Sequence, residues 1–125
     1  MAYVKIKFGK ALWVTEADSL AMYSIGYLLT DDVGYEGGQR RIDWIVDNRC
    51  KRGCSNATFM EKYNGNIIVG DLFTDDPCEA ALSVPTPVMI DLLEQWDVIC
   101  KANPEAMTIY YEDERFRIEI HKKEQ

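Results

Sequence analysis

The chain has 125 residues, 47 % of them hydrophobic, which suits one folded domain covering residues 1–125 rather than a disordered segment. No apolar run approaches the roughly 20 residues that a membrane helix needs, and the alternating start MAYVKIKFGKALWV is unlike the apolar core of a signal peptide, so we expect a cytoplasmic protein. The 21 acidic and 14 basic residues give a net charge of −7, which disfavours general nucleic-acid binding because the phosphate backbone is also anionic.

The N-terminal segment predicts two short strands. Val4, Ile6 and Phe8 alternate with charged residues, as they do in a half-buried strand over residues 3–8. A tight turn at Gly9 would let residues 11–14 return as a second strand.

The next segment is ambiguous between helix and strand. Thr15 resembles a helix N-cap, with Asp18 three residues further on. The apolar residues that follow fit a helix only loosely, and residues 25–29 would also suit a strand.

A loop, a short helix and a second loop are predicted to follow. Residues 30–38 are rich in Asp and Gly, which indicates a loop, and residues 50–56 indicate another. Between them, a helix over residues 40–47 would turn Ile42, Ile45 and Val46 inward. Trp44 lies off this apolar stripe, so we expect it to be exposed.

The second half of the chain gives clearer signals. Asn64-Gly65 between apolar runs predicts a β-hairpin of residues 58–62 and 67–73, and residues 80–84 can add a strand. Thr86-Pro87 predicts the start of a helix, in which Trp96 and Cys100 face the core. Asn103-Pro104 predicts its end.

The last two strands predict a hairpin with a defined register. A two-residue connection at Asp113-Glu114 keeps apolar and polar residues on separate faces. The predicted pairs are Tyr111 with Phe116, Ile109 with Ile118, Met107 with Ile120, Thr108 with Glu119, and Tyr110 with Arg117. The whole pattern predicts an α+β fold, a mostly antiparallel sheet with two or three helices packed on one face.

The segment NRCKRGC, residues 48–54, is the first candidate for a reactive site. Nearby cations lower the pKa of a thiol, so Cys50 and Cys54 form a candidate redox pair, although an ordinary loop is the simpler interpretation. A zinc site needs about four ligands. Cys78 and Cys100 stand apart and His121 is the single histidine, so we predict no metal and no cofactor.

Catalytic patterns are weak in this chain. One histidine near the C-terminus offers little support for a Ser-His or Cys-His nucleophile. The adjacent acids Asp31-Asp32 and Asp75-Asp76 are more typical of solvated turns than of an acid–base pair. We therefore predict no catalytic residues and no enzymatic activity.

Acids and aromatics are interleaved before and within the short predicted helix. Aromatic side chains suit interface anchors, and carboxylates suit a basic partner. The predicted partner-binding residues are Asp31, Asp32, Tyr35, Glu36, Asp43, Trp44, Asp47, Asp75 and Asp76.

The segments YLLTDDVGYEGG, NATFMEKYNGNIIVGDLFTDD, SVPTPVMIDLLEQWDVI and TIYYEDERFRIEI together resemble small immunity proteins of bacterial polymorphic toxin systems, of the contact-dependent-inhibition and Rhs type. The resemblance lies in layout: an Asn-Gly hairpin, the IDLLEQW helix and a closing charged hairpin. It implies a cytoplasmic protein that binds and occludes a toxin domain, often a basic nuclease. We expect the chain to be a monomer or homodimer. The class contains many unrelated folds, so it assigns no residue a role. A small regulatory or ligand-binding domain with an apolar pocket is the alternative.

Overall fold

A computed structural model of the chain describes residues 2–47, 49, 51–54, 57–72 and 81–122. Its strands and helices follow in chain order: β1 (Ala2–Lys7), β2 (Trp13–Ala17), α1 (Leu20–Tyr27), a π-helical segment (Leu28–Val33), a 3-10 turn (Gly34–Glu36), α2 (Gln39–Val46), β3 (Arg52–Cys54), β4 (Thr58–Tyr63), β5 (Asn66–Asp71), β6 (Leu82–Pro85), α3 (Thr86–Ala102), β7 (Ala106–Glu112) and β8 (Arg115–His121).

The predicted α+β class is confirmed. The strands divide into two antiparallel sheets, which the sequence did not indicate, with the orders β2-β1-β7-β8 and β3-β4-β5-β6. Helix α1 contacts β1 and β2 of the first sheet and β5 and β6 of the second, so it joins the two sheets. Helix α3 packs against α2 and also contacts both sheets.

Both predicted hairpins are confirmed. The β7–β8 pairs have the predicted register, and the turn residues Asp113 and Glu114 adopt φ values of 53° and 58°. Asn64 and Gly65 of the β4–β5 turn also have positive φ, as the two-residue turns that match strand twist require. The Gly65 carbonyl accepts hydrogen bonds from the backbone N–H and hydroxyl of Thr86, which ties this turn to the start of α3.

The predicted start of the first helix is wrong. Thr15 lies inside β2, and the N-cap is Ser19, whose hydroxyl accepts the backbone N–H of Met22. The neighbouring Glu16 pairs with Lys5 across the β1–β2 ladder, and this strand pairing competes with a cap four residues too early. The helix then continues through the π-helical segment, so the prediction of a loop from residue 30 is also wrong up to Val33.

The other predicted elements differ from the structure only in their bounds or over a few residues. The helix predicted over residues 40–47 is α2, and the strand predicted over residues 80–84 is β6. The loop predicted over residues 50–56 contains the short strand β3, which pairs with β4. Hydrogen bonding to a neighbouring strand, rather than apolar alternation, makes these three residues a strand.

The core is one cluster contributed by both sheets and all three α-helices. Trp96 of α3 is fully buried, as predicted, and its indole N–H donates to the Gly34 carbonyl at 3.0 Å. Gly26 lets α1 approach the first sheet, because a Cβ there would lie 2.6 Å from a methyl group of Val14. In the described part of the chain, no helix is both long and apolar enough to cross a membrane.

Candidate partner-binding surface

Asp32, one of the predicted partner-binding residues, connects two parts of the fold. Its carboxylate accepts the backbone N–H groups of Ala57 and Thr58, each at 3.0 Å, and the Thr58 hydroxyl. Its carbonyl accepts Arg41 Nη2 at 3.1 Å. Since Thr58 is only 1 % exposed, the carboxylate satisfies donors that water cannot reach. These contacts assign Asp32 to holding the start of β4 against the π-helical segment.

Trp44 is half-buried, so the expectation of an exposed side chain is wrong. Its ring packs over Gly53, where an added Cβ would lie 3.2 Å from the indole. The Lys62 ammonium lies 4.4 Å from the ring centroid and donates to the carbonyls of Trp44 and Asp47 at the end of α2. Val46 was predicted to face inward, and this prediction is wrong, because its side chain is 62 % exposed.

The remaining acids around α2 are bound to neighbours within the chain. Asp47 accepts the backbone N–H and guanidinium of Arg49, and these hydrogen bonds lower the pKa of its carboxyl below the ordinary value. Asp43 is exposed and accepts the Gln39 side chain at 2.8 Å. Cys50, Asp75 and Asp76 lie outside the described residues, so the redox pairing with Cys54 stays a prediction.

Tyr35 and Glu36 form one wall of a pocket of about 260 Å³. The Tyr35 hydroxyl donates to the Gly9 carbonyl at 2.9 Å, and the ring is exposed. Asp97, in the same pocket, accepts the Gly38 N–H at 2.6 Å, so this acid is used by the fold. Burial, and then the charge of Asp97, raises the pKa of Cys100 to about 12.

Three tyrosines and four acids lie together around the exposed side of α1. We call this surface the acidic tyrosine band: Tyr3, Glu16, Asp18, Tyr23, Tyr27, Asp31 and Asp71. The Tyr3 hydroxyl donates to Glu16 Oε2 at 2.6 Å, and its backbone N–H donates to Asp18 Oδ1 at 3.0 Å. The rings of Tyr23 and Tyr27, one helical turn apart, stack with their centroids 5.8 Å apart. The band therefore combines residues of β1, β2, α1, the π-helical segment and β5.

The pKa shifts of two tyrosines reflect the acids that lie near each of them. The pKa of Tyr3 is raised by its hydrogen bond to Glu16, then by burial and by the nearby Glu16, Asp18 and Tyr23. The pKa of Tyr27 is raised by burial, and then by Asp71, Tyr23 and Asp31. Tyr23 contributes to both shifts, so it lies near both of these tyrosines.

Hydrogen bonding stabilises the ionised form of one acid in the band. The Tyr3 hydroxyl, and then the charge of Lys5, lowers the pKa of Glu16. The Lys5 ammonium lies 3.6 Å from Glu16 Oε2, so one cation partly offsets the acids at this end. The band is therefore a negative surface with phenol groups between its carboxylates, suited to receive cationic side chains.

Sequence reasoning identified only Asp31 of this band. Its members come from segments up to 68 positions apart, between Tyr3 and Asp71, and only folding brings them together. The i, i+4 spacing of Tyr23 and Tyr27 was the available signal, since residues at that spacing share one side of a helix.

The described residues offer little support for other kinds of site. Within them, no group of three or more His, Cys, Asp and Glu residues could hold a metal ion. A pocket of about 420 Å³ at the β4–β5 turn is lined by apolar residues such as Ile45 and Ile67 and by polar ones such as Lys62 and Thr86, so the alternative of a small ligand-binding domain stays a prediction. In comparisons with known proteins, no family model, curated protein or solved structure matches the chain.

Proposed function

We propose that this chain is an immunity protein that binds a cognate cationic toxin domain and blocks it stoichiometrically, without catalytic activity or cofactor of its own, in the cytoplasm. The observation that carries the proposal is the acidic tyrosine band. The resemblance to immunity proteins and the net charge of −7 are consistent with it.

The composition of the band suits a protein interface. Tyrosine supplies a large contact area with few rotatable bonds, together with a hydroxyl that can exchange hydrogen bonds, and it is enriched at binding hot spots. Charge complementarity to a basic partner accelerates association and excludes like-charged competitors.

Occlusion follows from the same chemistry. A toxin that cleaves nucleic acid must bind phosphates with cationic side chains. Carboxylates of the band would take the place of those phosphates, and the stacked tyrosines would cover adjacent surface. Inhibition then requires tight binding and no turnover.

If the adjacent upstream reading frame ends in a toxin domain, the first experiment is co-expression of this chain with that domain. We expect growth rescue and a stable complex with one toxin domain per chain on size-exclusion chromatography. Absence of both rescue and complex would refute immunity against that toxin.

Variants then test which surface binds. Asp31→Arg, in the band, should weaken binding by about 10- to 100-fold and slow association most at low salt. Asp43→Arg is the matched control, because Asp43 is also exposed and the charge change is the same, but it lies on α2. A larger loss from Asp43→Arg than from Asp31→Arg would place the interface on α2 and contradict the role of the band.

A further inference from the structure

Strand β8 is an edge strand of the first sheet. Within the described part of the chain, its inner edge pairs with β7 and no strand pairs with its outer edge. It is seven residues long, and an exposed edge of this length is a template for pairing with another chain.

The hairpin geometry fixes which backbone groups lie on the outer edge. In a two-residue hairpin, the pair flanking the turn, here Glu112 and Arg115, exchanges backbone hydrogen bonds. Alternate residues of β8 therefore direct their N–H and C=O groups to β7, and those between them direct theirs outward. The outward set is Phe116, Ile118 and Ile120.

We propose that two copies of this chain pair through β8, antiparallel and centred on Ile118. The Ile118 residues of the two copies would exchange hydrogen bonds across the two-fold axis. Phe116 of each copy would do the same with Ile120 of the other. The two sheets would become one continuous antiparallel sheet with both β8 strands at its centre.

Charge complementarity selects this register. Arg117 would lie opposite Glu119 of the second copy, twice by symmetry, in the closely spaced pairs that lack backbone hydrogen bonds. Within one chain, Arg117 Nη1 already lies 3.9 Å from Glu119 Oε2, and the two side chains are 60 % and 50 % exposed on the outer face of the sheet, where a second copy can reach them. The allowed neighbouring registers would place Arg117 opposite Arg117, or Glu119 opposite Glu119. Repulsion disfavours both.

The inner face provides the apolar part of the interface. A groove of about 390 Å³ between α3 and β8 is lined by Val98, Ile118 and Ile120 among others. Val98 is 69 % exposed and Ile120 is 40 % exposed, so part of the groove surface is apolar and open to solvent. In the proposed pairing, Phe116 of the second copy lies beside Ile120 on this face and covers part of the groove.

The other described edges lack this self-complementarity. Strand β2, paired with itself about Thr15, would set Val14 against Glu16. Strand β3 has only three residues, and β6 contains Pro85. Neither offers a long edge of matched charges.

Sedimentation velocity on the purified chain from about 1 μM to about 1 mM tests the pairing. We expect a concentration-dependent dimer. Arg117→Glu should raise its dissociation constant roughly 10- to 30-fold, because two attractive pairs become repulsive. Adding Glu119→Arg to that variant restores opposite charges across the axis and should recover the dimer. Arg40→Glu, an exposed site on α2, is the control with the same charge change.

Hydrogen exchange locates the contact independently. Amides of Phe116, Ile118 and Ile120 should gain protection at high protein concentration, with Arg117 and Glu119 unaffected. A monomer at every concentration, a dimer indifferent to Arg117→Glu, or protection elsewhere would each overturn the proposal. None of these measurements involves a toxin, so the proposed function stands or falls separately.

Discussion

Replacing Asp32 with alanine should destabilise the fold far more than the same change at its neighbour Asp31. Asp32→Ala removes a carboxylate that accepts three donors from Ala57 and Thr58. Thr58 is 1 % exposed, so its N–H and hydroxyl would stay buried without partners, at roughly 1–3 kcal/mol each. With partial rehydration of the Ala57 N–H, we expect a loss of roughly 3–5 kcal/mol in the free energy of unfolding.

Urea denaturation measures this loss directly. For a slope of about 2 kcal/mol per molar, the midpoint of Asp32→Ala should fall by about 2 M, with the slope unchanged. Asp31→Ala should stay within about 0.5 kcal/mol of the parent, since Asp31 is exposed. Asp32→Asn, which keeps the shape and one acceptor, should lie between them. If Asp32→Ala lowered the urea midpoint no more than Asp31→Ala does, the structural role of the Asp32 carboxylate would be refuted.

Two further substitutions and one labelling experiment test packing and electrostatics. Gly26→Ala should lower the melting temperature. The added Cβ, 2.6 Å from Val14, costs about 1–3 kcal/mol of stability, whereas the higher helix propensity of alanine stabilises by only about 1 kcal/mol. A higher melting temperature would contradict the close packing. Tyr3→Phe should raise the pKa of Glu16 in an NMR titration by removing its hydroxyl donor. Because folding lowers the pKa of Glu16, this carboxylate stabilises the fold above its unfolded pKa, and the stabilisation is lost as pH falls through the folded pKa. In Tyr3→Phe, the stability lost on acidification should therefore be smaller. If the pKa of Glu16 were the same in Tyr3→Phe as in the parent, the Tyr3 hydroxyl would be excluded as the cause of its lowering. Because the thiolate is the reactive form, Cys100, with a pKa of about 12, should react with iodoacetamide at pH 8 about 1000-fold more slowly than a free thiol. Peptide mass spectrometry measures this rate, and rapid labelling would contradict the burial of Cys100.

The elements that sequence reasoning predicted best are those with local causes. The β4–β5 turn needs positive φ at two successive positions, and Asn64-Gly65 tolerates it. The β7–β8 register follows from keeping Ile109 and Ile118 on one face, since a slip of one residue would move every side chain to the other face. The residues that determine such a turn or register lie within a few positions of each other, so the sequence alone predicts it.

The misassigned elements depend on distant partners. Thr15 has the side chain of an N-cap, but it lies inside β2, where the β1–β2 register shifts between the paired residues Val14 and Glu16. Strand β3 exists because β4 lies beside it. Likewise, Trp44 is covered because Gly53, nine positions away, provides a flat surface for its ring. No local pattern contains this information.

Adjacent acids illustrate why residues that look alike in the sequence take different places in the fold. Asp31 and Asp32 look equivalent in the sequence, yet the π-helical segment turns Asp32 toward β4 and leaves Asp31 in the acidic tyrosine band. Asp97 is likewise committed to the Gly38 N–H. Net charge counts all such carboxylates equally, whereas only those with accessible oxygens can meet a partner.

The band and the β8 edge are connected through side chains on the outer face of the first sheet. The Tyr3 ring lies 6.4 Å from that of Tyr110, and the Arg117 guanidinium lies 4.1 Å above Tyr110. A toxin that covers only the band would leave the Arg117 edge uncovered for the second copy, and the complex would contain two chains and two toxin domains. A toxin that extends over Tyr110 would compete for Arg117 and leave one of each. The mass of the complex therefore decides how far across this face the toxin reaches, and Arg117→Glu should change that mass only in the first case.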